Sequence, residues 1–318
     1  MVDGAAQGPV AVFDIGTNST RMLVVAADGR EILRRATVTR LGAGVDASGR
    51  LSGAAIERTI ECMRAYQLSC LDAGVSRMRA VTTSASRDAS NVAELVAGVR
   101  SVLGVEPELL SGDEEGRLAF AGASLGLSPR TSPFGERELD VVLDIGGGST
   151  ELIVGVPGLA PEGVCSLNIG CVRLSERLLH GNPPTAMELS DAIAIARSYF
   201  DDAQREIPIV NDATRLIGLA GSITTVAAME IGLHAYDRNR IHHFVLTRVA
   251  VEDVFRTLAT ESRADRAFNP GLPPERVDTI VAGALILAAA MRHFGFDACT
   301  VSETDILDGL AAELRGRL

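Results

Sequence analysis

The chain has 318 residues, 47% hydrophobic and 22% charged, which fits a globular protein of two domains; its net charge of −11 argues against a nucleic-acid surface, which needs a basic stripe. All 30 basic residues are arginine, so a Walker-type phosphate loop, a protein-kinase ATP site and a Schiff base, which need lysine, are excluded. Five cysteines (Cys62, Cys70, Cys165, Cys171 and Cys299) are odd in number and include no Cys-x-x-Cys, which disfavours a disulfide framework or structural zinc and predicts reduced thiols in a cytoplasm.

In chain order, Met1 to Gly8 lacks the basic and apolar regions of a secretory signal and is expected to be irregular. Strands are predicted near 10–14, 20–27 and 31–40, with a turn at Asp28-Gly29. A helix starts after Ser52 and runs to about Ala73; a strand near 78–82, a helix near 90–102, a strand near 105–110 and a helix from about 112 follow. The Ser, Pro and Gly of Gly126 to Gly135 mark a boundary, giving domains 1–130 and 131–318, with the last helix free to pack back on the first. The second domain reads as strands near 140–144, 150–156 and 163–169, a helical stretch through 185–206, a strand near 215–219 and a helix at 222–231. The longest apolar run, Ile280 to Met291, is well short of the roughly 20 residues of a membrane span and reads as a buried helix.

An internal repeat orders these elements. Residues 14–25 (DIGTNSTRMLVV) and 144–155 (DIGGGSTELIVG) share Asp, Ile, Gly, Ser and Thr in register, each after a short apolar run. A spacing of 130 residues is a domain length, so the fold class expected is α/β with a duplicated domain and mixed sheets. The pattern resembles the actin and sugar-kinase superfamily, which implies two ribonuclease-H-like domains flanking a central cleft.

The chemistry concentrates around those turns. A strand ending in Asp and Gly lets the backbone bend sharply, and Thr17-Asn18-Ser19 and Gly146 to Thr150 (Gly147, Gly148, Ser149) then offer amides and hydroxyls to an anion, although a plain hairpin turn uses the same residues. Asp144 and Glu151 become neighbours if the second turn is tight; beside phosphate oxygens two carboxylates need a cation, and Mg2+ suits them, with Asp14 contributing through water. In Ser111-Gly-Asp-Glu-Glu-Gly-Arg117, Ser111 and Glu114 form a capping box and Asp113 suits the helix start. Glu115 is left over, shares a helix face with Leu118, Gly122 and Leu125, and is a candidate general base. The Gly122-x-Ser-x-Gly126 match to a nucleophile elbow follows a helix and is set aside; Gly42 to Ala47 reads as a loop. His242 and His243, read as adjacent strand residues, should face opposite ways.

The Ser-Gly-x-Glu-Glu-Gly-Arg stretch followed by Asp-Ile-Gly-Gly-Gly-Ser-Thr-Glu resembles the exopolyphosphatase and guanosine pentaphosphate phosphohydrolase family, in its short two-domain form. Asp-Ile-Gly-Thr-Asn-Ser, Thr83 to Arg87, Arg40 to Val45 and Gly218 to Ser222 are similar too. The resemblance implies Glu115 as catalytic base, Asp144 and Glu151 as metal ligands, and Arg87 with the Gly147 to Thr150 amides as phosphate ligands. Gly221 and Ser222, where kinases of the superfamily hold adenosine, are expected to bind phosphate at a helix start. The activity implied is release of terminal phosphate from inorganic polyphosphate, or of the 5′-γ-phosphate from guanosine pentaphosphate. A homodimer is implied as well, with neither nucleic acid nor membrane as partner. A kinase or ATPase of the superfamily, and a non-catalytic polyphosphate or guanosine nucleotide sensor, remain the alternatives.

Overall fold

A computed structural model describes residues 8–316, which fall into two compact units, residues 8–122 with 306–316 and residues 123–305. The N-terminal stretch read as irregular lies, up to residue 7, outside the described residues.

The first unit opens with β1 (Val10–Ile15), β2 (Ser19–Val25) and β3 (Glu31–Val38), followed by α1 (Gly53–Asp72), β4 (Arg77–Thr82), α2 (Val92–Leu103), β5 (Glu108–Leu109) and α3 (Gly112–Ser124). Its sheet runs β3-β2-β1-β4-β5. The first three strands are antiparallel, whereas β1, β4 and β5 are parallel, so their C-terminal ends share one edge. Every residue of β1 is buried, and Ala11, Phe13 and Ile15 share a core with Met63 and Tyr66 of α1 and Leu95 and Val99 of α2. The Ser52 hydroxyl caps α1 by accepting from the Ala55 amide at 3.2 Å. β5 is shorter than predicted because Pro107 has no amide to give the ladder.

The second unit contains β6 (Asp140–Ile145), β7 (Thr150–Gly155), β8 (Gly163–Leu167), α4 (Cys171–Leu178), α5 (Ala186–Glu206), β9 (Arg215–Leu219), α6 (Ala220–Ile231), β10 (Val245–Thr247), α7 (Arg248–Thr260), α8 (Ile280–Phe294) and β11 (Ala298–Val301). Its order, β10-β11-β9-β6-β7-β8, repeats the first sheet strand for strand from β8 to β11 and adds β10 antiparallel at the edge. The apolar run is α8, with every residue from Ile280 to Met291 buried in the core of this unit. No helix among the described residues is long and apolar enough to cross a membrane. The last helix, α9 (Ile306–Leu314), belongs to the first unit and packs on β1 and β2.

Three readings are corrected. The units divide between Gly122 and Ala123, inside the last turn of α3, which runs to Ser124, and not after residue 130. The Ser/Pro/Gly-rich stretch lies inside the second unit, where Arg130 holds Asp140 at the start of β6 (3.1 Å) and Glu138 (2.8 Å). Leu125, expected on the buried face of α3, is beyond its end and exposed. His242 and His243 do not alternate on a strand: His242 ends a helical turn, His243 adopts φ 64°, and their rings stack at 3.8 Å.

The capping box at α3 forms as read: the Ser111 amide donates to Glu114 Oε2 (2.8 Å) and the Glu114 amide donates to the Ser111 hydroxyl (3.2 Å). The Ser111 amide and hydroxyl, both donating to Glu114 Oε2 at 2.8 Å, hold that carboxyl below its usual range. Ser111→Ala is therefore expected to lower unfolding stability by about 1 kcal/mol. An unchanged urea midpoint would mean that the cap contributes nothing.

Candidate active site

The parallel strands of the first unit bring three loops together. Ile15 at the end of β1 lies beside Thr82 at the end of β4, and Thr82 lies beside Leu109 of β5. The turn at Gly16 to Asn18, the Thr83 to Arg87 segment and the start of α3 therefore emerge at the same edge, where α/β sheets place their ligands. The first turn is latched from two sides. The Gly42 amide donates to the Thr17 carbonyl (2.8 Å), the Thr39 and Arg40 amides donate to the Asn18 carbonyl (3.1 and 2.9 Å), and the Ala85 amide donates to the Thr17 hydroxyl (3.1 Å). Thr17 is thus a positioning residue. Ser19 opens β2, its carbonyl accepting from the Gly16 amide at 3.0 Å. Two donors remain: Asn18 Nδ2 and the Ser84 hydroxyl are buried and have no hydrogen-bond partner among the described residues. Leaving a buried donor unsatisfied costs about 1–3 kcal/mol, so two of them in adjacent loops call for an acceptor-rich ligand.

Arg87 and Glu115 meet at this edge. Arg87 Nη1 donates to Glu115 Oε2 at 2.7 Å and to the Leu110 carbonyl at 3.0 Å, fixing the carboxylate to the end of β5. Glu115 keeps 15% exposure, enough for water to reach it. Burial pushes its carboxyl up to about 7; Arg87 opposes this, and the negative charge of Asp14 adds to it. A carboxylate poised near neutrality, one oxygen held by a guanidinium, is suited to accept a proton from water.

The second unit builds its loop the same way. The Gly146 amide donates to the Ser149 carbonyl at 3.0 Å, as Gly16 does to Ser19. A Cβ at Gly146 would lie 3.0 Å from that carbonyl oxygen, which explains the glycine at this tight turn. The start of α4 takes the loop carbonyls: Cys171 donates to Gly146 O, Val172 and Arg173 to Gly147 O, and Arg173 Nε to Gly148 O at 2.8 Å. These peptides are trans, so each carbonyl turned toward α4 turns the next amide away from it. The amides of Gly147, Gly148 and Ser149 thereby face away from α4 in succession. Thr150 does not join them. It is fully buried, and its hydroxyl donates to the Ile169 carbonyl at 2.5 Å, so its part is to hold the sheet edge. Gly221 and Ser222 start α6 after Ala220 at φ 67°; the Arg276 guanidinium lies against Gly221, and Ser222 is buried against Gly283.

The two copies differ in one pair. Asp14 is opposite Arg21 across β1 and β2, and Asp144 is opposite Glu151 across β6 and β7, at the same register. Arg21 binds Asp14 Oδ2 through Nε (2.9 Å) and Nη2 (2.5 Å), so Asp14 is already matched by a cation in its own unit. Asp144 and Glu151, 8% and 1% exposed, bring two carboxylates to the corresponding place, with the Ser166 hydroxyl donating to Glu151 Oε1 at 2.8 Å. This donor set fits a hard divalent cation that completes its shell with water and substrate oxygens. Among the described residues no group of three or more His, Cys, Asp or Glu could hold a metal unaided.

Sequence reasoning singled out neither Ser84 nor Arg21 nor Arg173. Arg21 was findable, since it stands seven residues after Asp14 as Glu151 does after Asp144. Arg173 gave no signal, because its bond to Gly148 depends on where α4 starts.

The chain matches the Ppx/GppA phosphatase family over residues 22–316. It is 36% identical to exopolyphosphatase 2 of Mycobacterium tuberculosis, over 96% of this chain and 98% of that protein. It is 29% identical to the guanosine-5'-triphosphate,3'-diphosphate pyrophosphatase of Aeromonas salmonicida over 96% of this chain, which spans 59% of that longer relative. Among solved structures, an exopolyphosphatase-like protein superposes with a TM-score of 0.91 at 31% identity, covering 97% of this chain and 99% of the other. The Aquifex aeolicus PPX-GPPA enzyme superposes at 0.79 with 30% identity, covering 96% and 99%.

Proposed function

The chain belongs to the Ppx/GppA phosphatase family, and we propose that it is an exopolyphosphatase that releases terminal orthophosphate from linear inorganic polyphosphate. The observation that carries this reading is the Arg87–Glu115 pair at 2.7 Å, at the sheet edge from which the loops carrying the two buried, unmatched donors also emerge. Glu115 orients a water and takes its proton as the water oxygen bonds to the terminal phosphorus. The bridging P–O bond breaks in line, and the proton goes on to the leaving phosphate. In the first unit Arg87, Asn18 and Ser84 neutralise phosphate oxygens; in the second unit the amides of Gly147, Gly148 and Ser149 are offered to phosphate oxygens in their own right. Asp144 and Glu151 would hold a divalent metal, magnesium by their all-oxygen chemistry, which when bound supplies further charge neutralisation to phosphate oxygens. A share for Asp14 rests on sequence alone.

A second reading, removal of the 5′-phosphate from guanosine pentaphosphate, is favoured by the Aeromonas relative. Phosphate release from short polyphosphate, long polyphosphate and guanosine pentaphosphate, each with and without magnesium, separates the two. No release from any of them would overturn both and favour a sensor. Cytoplasmic localisation and a homodimer remain part of the proposal, supported by five buried cysteines outside any disulfide and by the resemblance respectively.

The pH dependence carries a sign. Activity requires ionised Glu115, so kcat/KM should rise through about pH 7. Arg87→Ala removes the cation that lowers this pKa and should move the acid limb up by about 1 unit or more, besides lowering the rate. An acid limb unmoved in that variant would assign it to another group.

A further inference from the structure

The second unit contains a cavity of about 530 Å³ that the phosphate chemistry does not use. It lies where α5 and α7 flank α8, with Leu285, Ala288 and Ala289 of α8 as its floor and Leu189, Ile193 and Phe255 among its walls. Its size is that of a small-molecule site, within about 300–1,000 Å³. The adjacent alanines leave a smooth trough, and its apolar lining is aliphatic apart from Phe255, a lining for a flexible hydrocarbon more than for a flat ring.

The charged lining is predominantly cationic, Arg197, Arg256 and Arg292 against Glu252, and Thr260 and His293 are its other polar residues. Arg292 is matched by Glu252 at 2.6 Å, and Arg256 reaches Asp253 at 2.7 Å. Arg197, one α5 turn beyond Ile193, forms no ion pair among the described residues. An apolar trough with an exposed guanidinium outside any ion pair at its rim has the complement of an aliphatic monoanion, whose carboxylate Arg can bind bidentately while the chain leaves water.

We propose that this cavity binds a fatty-acid-like carboxylate, its hydrocarbon on Leu285, Ala288 and Ala289 and its head at Arg197. The site is independent of the phosphohydrolase reading, since none of its residues takes part in the proposed reaction.

The test is calorimetric titration of the full chain with submicellar decanoate, decanol and decyltrimethylammonium. Wild type should bind decanoate about tenfold or more tightly than decanol, and the cation least. Arg197→Ala should lose that tenfold preference while still binding decanol, and Ala289→Phe, checked for native circular dichroism, should lose both ligands. Equal decanoate affinity in wild type and Arg197→Ala, or unchanged binding in Ala289→Phe, would overturn the proposal. So would no decanoate binding together with a sedimentation shift on Ala289→Phe, which would make the trough an interface between copies. Should Ala289→Phe misfold, Arg197→Glu is the second variant, and retention of decanoate binding there would equally refute the site.

Discussion

Glu115→Gln is expected to lower phosphate release on the order of 10²–10⁴-fold while leaving substrate binding intact and making the protein more stable in alkali. The rate loss follows because the amide cannot take the proton from water, although its oxygen still accepts from Arg87 at the place of Glu115 Oε2. The stability gain follows from the raised pKa. Unfolded Glu115 titrates near 4.5 and the folded group near 7, so between these values the native state binds more protons and stability falls as pH rises. Glutamine mimics the protonated carboxyl and escapes that loss. The variant should match wild type near pH 4 and exceed it at pH 9 by about 1–3 kcal/mol. Urea unfolding at both pH values measures this, and phosphate release measures the rate. Near wild-type turnover would remove Glu115 from the reaction; a variant less stable than wild type at pH 9 would show that Arg87 holds the carboxylate more strongly than burial opposes it.

Gly170→Ala is the second large effect. Gly170 has φ −141° and ψ 168°, extended backbone that alanine adopts freely, so the cost is purely steric. Its Cβ would lie 2.4 Å from the Gly147 oxygen, 2.5 Å from the Gly147 carbonyl carbon and 2.6 Å from the Gly148 nitrogen. All three are backbone atoms of the turn at residues 146–149 proposed to bind phosphate, with no flexible side-chain end to give way. The loop must shift away from α4, and a displacement near 1 Å at a binding loop costs on the order of 10² in rate. Overpacking should also lower stability by about 1–3 kcal/mol. Gly53→Ala is the control: it opens α1, and nothing lies within 4 Å of its Cβ. Activity of Gly170→Ala equal to that control would mean that the loop does not hold the phosphate.

These two residues also show how much was legible beforehand. Glu115 could be found in sequence because local rules account for its neighbour: Glu114 is consumed by the cap, which depends only on residues three apart. The paired loops were legible for a similar reason, since a strand, a sharp turn and a second strand are contiguous, and duplication printed the same pattern twice. Gly170 was silent, because what forbids a side chain there is backbone more than twenty residues earlier in the chain. The buried donors Asn18 and Ser84 were likewise beyond reach as a pair, for it is the parallel pairing of β1 with β4 that makes their loops neighbours.

By itself, then, the sequence determined the duplicated α/β plan, the two Asp-Ile-Gly turns, the cap and the spare glutamate, all of which follow from short-range periodicity and turn chemistry. Only the tertiary structure decided that Asp14 faces Arg21 whereas Asp144 faces Glu151 with Ser166, that Thr150 spends its hydroxyl inside the sheet, and that Arg87 clamps Glu115. Such pairings are set by strand register and by burial, which bring distant residues within hydrogen-bonding range and withdraw the water that would otherwise satisfy them.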